Sequence, residues 1–211
     1  MDMQMTTNVP DWLTPIAWLF ITLALLSAAA ITYDIYARRH RHDTVAAELV
    51  WITSALYLGP FALALYARHG RATVGAGLPG GGASAVAHLI GVPLVIASGL
   101  TIAGINLWVM IIVIGLLAMV FLFGYERLAT PRGSGAPMPV LAAAATAALT
   151  VLAFDIGMGG WMLLLHFNEF MPPADEGSFW FLMQIGIVLG LISGYPVVRW
   201  LTRRGRSVTP A

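Results

Sequence analysis

Cysteine is absent from this chain of 211 residues, and so is lysine; all eleven basic residues are arginine. Without cysteine there is no disulfide and no zinc or iron–sulfur centre built on thiolates. Charge is scarce as well. Asp, Glu, Lys and Arg together make 10% of the residues, where a soluble domain carries about 25%. A folded chain with so few solvated groups must present much of its surface to something other than water. The net charge of +1 leaves no basic stripe to neutralise phosphates, so nucleic acid is not an expected partner.

What is abundant is apolar: 59% of the residues are hydrophobic. A helix needs about 20 apolar residues to cross the hydrocarbon of a bilayer. Six stretches qualify, at 12–35, 46–67, 84–102, 106–126, 139–167 and 179–201. The expected fold is therefore all-α, an integral membrane bundle of about six transmembrane helices forming one multi-pass domain over residues 1–211. Its first partner is the lipid bilayer of the cell membrane. The connections are short, and each carries the Gly, Pro or Asp that ends a helix or makes a turn, among them a Gly-rich turn at 75–82. The first apolar run precedes any basic residue and is long enough to span, so it reads as a retained helix rather than a cleavable signal.

Arginine distribution tests topology through the positive-inside rule. Six spans with both ends inside put eight arginines inside and leave Arg38, Arg39 and Arg41 outside. Gly91, Pro93 and Gly99 interrupt the third stretch. If 84–102 is re-entrant, five full spans remain and the count becomes nine against two. Both arrangements put the C-terminus in the cytoplasm; the six-span one is preferred.

Ionisable groups inside a span are costly and mark candidate sites. His88, Asp155 and His166 lie deep in apolar segments, with Gln184 as a neutral companion. Asp34, Glu48, Glu126 and Arg199 lie near span ends, where reaching a headgroup is the expected role. In the fifth stretch Asp155, Met158, Met162 and His166 stand at i, i+3, i+7 and i+11, one stripe of a helix. Thioether and imidazole donors suit a soft ion such as copper(I). The candidate metal ligands are thus Met158, Met162, His166, His88 and Met183, with Asp155 balancing charge. Methionine is also a common filler of helical interiors, so packing competes with ligation for Met158 and Met162. Gly186, Gly190 and Gly194 form a small-residue ridge suited to close helix contact in lipid. The His40 and His42 of the arginine-rich loop are less suited to a cation, which the guanidinium groups repel, than to a headgroup patch.

Several stretches resemble an uncharacterised bacterial membrane family, domain of unknown function 4396. They are Trp51-Ile-Thr-Ser-Ala-Leu-Tyr-Leu-Gly-Pro60, Gly99 to Gly104 with Leu107-Trp108, Gly157-Met158 with Gly160-Trp161-Met162, Phe179 to Ile185, and Ser193 to Val197. The resemblance implies a helical membrane bundle and brings no established activity. Many members carry a His-Cys-Gly-x-Gly-Cys segment where this chain has His88-Leu-Ile-Gly-Val-Pro93; the histidine is kept and the thiols are not. The Met-x-x-x-Met followed by Gly-x-x-x-Gly is also similar, over short motifs only, to eukaryotic Ctr-type copper transporters. Three classes of function follow. One is soft-metal handling or small-solute transport, with copper as the candidate ion. Another is a structural subunit, in a homo-oligomer or a larger membrane complex. An enzyme has little support, because no nucleophile–base spacing or phosphate loop stands out and no catalytic residue is assigned.

Overall fold

The computed structural model describes residues 8–69, 74–75, 77–129 and 138–205. They form a helical membrane bundle: α1 (Leu13–Tyr36), α2 (Val45–Leu58), α3 (Pro60–His69), α4 (Leu78–Ser98), α5 (Asn106–Leu128), α6 (Val140–Phe167) and α7 (Gly177–Arg203). Five of these helices, α1, α4, α5, α6 and α7, are long and apolar enough to cross a membrane.

The second apolar stretch breaks where the others run on. Gly59 takes φ +57 and ψ −132, a conformation that L side chains rarely adopt. Pro60 follows and opens α3 with its φ already set and no N–H to satisfy. The ring of Phe20 on α1 lies against Gly59 and would meet a Cβ there at 3.0 Å. After this corner α3 doubles back. The Tyr66 hydroxyl donates to Asp34 at 3.0 Å, near the end of α1. The Tyr66 ring packs edge-on against Trp51 and lies 6.0 Å from that of His42, just before α2. Residues 46–67 therefore make a hairpin of two short helices that returns to the face it left. The interruption falls here and not at 84–102, because α4 continues unbroken through Pro93. A lone proline removes one hydrogen bond; at Gly59 and Pro60 a glycine of positive φ precedes the proline, and here the chain turns back. Non-spanning backbone at this depth has to be shielded from lipid, and Trp51, Ala55, Tyr57, Ala62 and Tyr66 are all buried.

This corner changes which ends share a face. The N–H of Asn8 donates to the Glu169 carbonyl, and Trp18 lies against Gly177. The start of α1 is thus beside the α6–α7 connection. The opposite face gathers the end of α1, the start of α2, the end of α3, the start of α4, the end of α5, the start of α6 and the end of α7. Arg127 at the end of α5 donates to the Met138 carbonyl there. All eight described arginines, Arg38, Arg39, Arg41, Arg68, Arg127, Arg199, Arg203 and Arg204, belong to that second face. The first face carries Asp11, Glu169, Asp175 and Glu176 and no described arginine. Arg71, Arg132 and Arg206 lie outside the described residues.

Small residues set the tightest contacts. The Gly186, Gly190 and Gly194 ridge of α7 receives side chains of α6: Met158 and Trp161 against Gly186, and the Phe154 ring against Gly190. Part of the stretch expected as a Gly-rich turn is instead the first turn of α4. A Cβ on Gly81 would meet the Tyr57 hydroxyl at 2.5 Å, and one on Gly82 would meet the Thr53 hydroxyl. These glycines lie within a helix, and their missing side chains let α2 approach.

Candidate functional site

His88 is buried at the middle of α4. Its Nδ1 lies 2.8 Å from the Ser84 carbonyl one turn back. A carbonyl only accepts, so Nδ1 carries the proton and Nε2 presents its lone pair. That atom is fully buried and has no hydrogen-bond partner. On α7 the Gln184 amide donates to the Leu56 carbonyl in the last turn of α2 at 2.6 Å, and its Oε1 is likewise buried and unpartnered.

Helix register brings these two residues to one level. Gly81 of α4 faces Leu191 of α7, and the two helices run in opposite directions. His88 is seven residues after Gly81, and Gln184 is seven before Leu191. Seven residues are close to two full turns, about 10 Å of rise, and return to nearly the same face. The third helix joins at the same height. The Trp161 indole N–H donates to the Leu182 carbonyl at 2.9 Å, which sets Met162 level with Leu182 and Met183. Met162 and Met183 are both fully buried. One layer of the bundle thus holds an imidazole, an amide oxygen and two thioethers, drawn from α4, α6 and α7.

The stripe read along the fifth apolar stretch is divided between neighbours. Met158 fills the space over Gly186. Asp155 is turned toward α5, where its carboxylate lies by Gly115. His166, at the end of α6, stacks edge-on against Phe167. Among the described residues no hydrogen bond or ion pair joins His88, Asp155 and His166, and no three His, Asp or Glu side chains come together as ligands for a metal. A hard divalent cation, which wants several oxygen ligands, has no such cluster there.

At the arginine face the polar groups pair internally. Glu48, expected to reach a headgroup, is completely buried and accepts from Arg41 Nε at 2.5 Å, Arg41 Nη2 at 3.0 Å and the His42 N–H at 3.1 Å. Glu126 is also buried. Both depart from the sequence expectation for one reason: the hairpin and the start of α4 crowd this face with protein. Asp34 gathers His40 and Tyr66 at 3.0 Å, with Arg38 at 3.7 Å. The sequence hint that was missed is the spacing of Arg41 and Glu48 across the N-cap Thr44, which lets the first turn of α2 close on the loop before it. Removing the half-exposed arginine strands a fully buried carboxylate. Arg41→Leu is thus expected to melt lower in detergent than the double variant Arg41→Leu/Glu48→Leu, and the reverse order would show that Glu48 does not need its cation.

Between this face and α5 lies a cavity of about 670 Å3, bounded by the Arg41–Thr44 loop, the first turns of α2 and α4, and the last turns of α5.

The family model described as a domain of unknown function, DUF4396, matches residues 71–207, and the chain belongs to that family. The matched residues include α4 to α7 and so His88, Met162, Met183 and Gln184; the hairpin of α2 and α3 precedes them. No curated protein and no solved structure matches the chain.

Proposed function

Membership of that family brings no activity with it, and we propose that the protein binds a soft monovalent cation, copper(I) in its chemistry, within the bundle as part of moving it across the membrane. The observation that carries this reading is His88, whose Nδ1 is tied to a backbone carbonyl while the Nε2 lone pair is buried and unpartnered. Metal-binding histidines are oriented in that way. Met162, Met183 and the Gln184 oxygen stand at the same level, and two thioethers with one imidazole favour a soft ion over a hard one. A broken helix beside the layer supports transport, since interrupted helices in membrane proteins collect at substrate sites. His166, one turn from Met162 toward the acidic face, is assigned to entry, and Asp155 to charge balance. Met158 is assigned to packing.

The same reading puts the protein in the cell membrane with its arginine face and C-terminus in the cytoplasm. The positive-inside rule supports that orientation.

Silver(I), a stand-in for copper(I) that does not change oxidation state, tests the site in protein purified in detergent. About one ion per chain is expected by titration and elemental analysis. His88→Leu and Met162→Leu/Met183→Leu are each expected to weaken binding at least tenfold, and Met158→Leu to leave it unchanged. Equal silver uptake by wild type and the His88 variant would overturn the reading.

A further inference from the structure

The cavity beneath the arginine face belongs to no part of that reading, and we infer that it holds one phospholipid with an anionic headgroup, taken from the leaflet on the arginine side. Its volume, about 670 Å3, falls within the range of about 300–1,000 Å3 usual for small-molecule sites. The lining is divided along its length. At the mouth stand Arg41, Asp43 and Thr44; farther in, Val50, Val86 and Phe121 leave an apolar channel. A polar end joined to an apolar channel fits an amphiphile and not a compact polar solute.

The entrance decides where the occupant comes from. Val45, Leu49, Val120 and Leu128 line the cavity and are each more than half exposed. Val120 is on a helix that is long and apolar enough to span, so this edge of the cavity opens sideways to hydrocarbon. A molecule already in the leaflet enters without crossing water. Charge then selects among lipids. Arg41 is half exposed even while bound to Glu48, and the face around the mouth carries every described arginine. Basic residues at a membrane surface attract anionic headgroups, each contributing about 1 kcal/mol near the surface. The backbone N–H groups of Val45 and Ala46, in the first turn of α2, have no helical carbonyl to bond and point to the same end.

Gly124 offers a way to close the channel. It lines the cavity, and a Cβ built on it meets no atom within 4 Å. Gly124→Phe therefore starts its side chain in open space and directs a ring at the cavity that Gly124 lines. The full chain would be purified in detergent and titrated with phosphatidylglycerol, phosphatidylcholine or inorganic phosphate, with bound lipid counted by native mass spectrometry and thermal melting followed in parallel. Wild type is expected to retain one phosphatidylglycerol per chain and to melt higher with it. Gly124→Phe is expected to retain at least tenfold less while melting at the lipid-free wild-type temperature. Val120→Trp, which narrows the entrance, should act in the same direction if the first variant folds poorly. Equal retention of phosphatidylglycerol by wild type and both variants would overturn the inference. So would phosphatidylcholine matching phosphatidylglycerol, or phosphate alone giving the same stabilisation. Silver binding is untouched by these variants, so this site and the His88 layer stand or fall separately.

Discussion

Gly157→Ala is expected to destabilise the bundle by about 1–3 kcal/mol, the range for forcing extra atoms into a packed interior. A Cβ at position 157 would run into the Leu189 carbonyl and come within 2.6 Å of the Ser193 hydroxyl. The first of these is α7 backbone and cannot rotate away. The same spot carries the polar link between the two helices: the Gly157 N–H donates to Ser193 Oγ at 3.1 Å, and that hydroxyl donates to the Ala153 carbonyl at 2.9 Å. Apolar side chains gain little by leaving lipid for protein, so helices in a bilayer associate through close packing and hydrogen bonds. Both would be lost together. Gly159 and Gly160, on the same helix, have nothing within 4 Å of a built Cβ, and alanine there should leave the melting temperature unchanged or raise it, since alanine is the better helix former. Thermal melting of the three variants in one detergent decides the matter. Equal melting of Gly157→Ala and Gly160→Ala would mean that α6 and α7 do not meet as closely as described.

The second large effect is all-or-none. Because the chain has no cysteine, a single introduced thiol reports its own position without background. Asp43, His69 and Arg204 are exposed on the arginine face, and Asn168 and Asp175 are exposed on the acidic one. With the arginine face in the cytoplasm, a membrane-impermeant maleimide should label Asn168→Cys and Asp175→Cys in intact cells. It should spare Asp43→Cys, His69→Cys and Arg204→Cys, and inverted vesicles should give the reverse. The decisive comparison is between Asp43→Cys and His69→Cys, which flank α2 and α3. A continuous span over 46–67 would label them from opposite sides; the hairpin labels them from one. That comparison is independent of which face is cytoplasmic.

The reach of the sequence is clearest where one physical rule governs the outcome. Hydrophobic runs of span length gave five helices close to their expected bounds, because in hydrocarbon a backbone has to satisfy its own hydrogen bonds and a helix does so locally. The α7 glycine ridge was legible for a related reason: glycines four apart fall on one face whatever the surroundings. The hairpin was not legible as such. Gly59-Pro60 lies within an apolar run, and whether such a pair kinks a helix or reverses it depends on what receives the returning segment. Here that is Phe20 on one side and Asp34 with Trp51 on the other.

The candidate site divides in the same way. His88, Met162, Met183 and Gln184 were each visible as polarisable or polar groups in apolar surroundings. The stripe of Asp155, Met158, Met162 and His166 followed from the helical period, yet a helix face meets different neighbours along its length, and α5 and α7 divided it. Glu48 was misplaced for want of the loop that pairs with it.

Composition and the period of the helix determined that this chain folds in lipid, as helices, with a few costly polar groups inside. Tertiary structure alone decided that the second apolar run turns back, that the described arginines share one face, and that four side chains from three helices stand in one layer. The reason is that span length and helical period are properties of neighbouring residues along the chain. Register between helices is set by contacts such as Gly81 against Leu191 and Trp161 against Leu182, which join residues far apart in sequence.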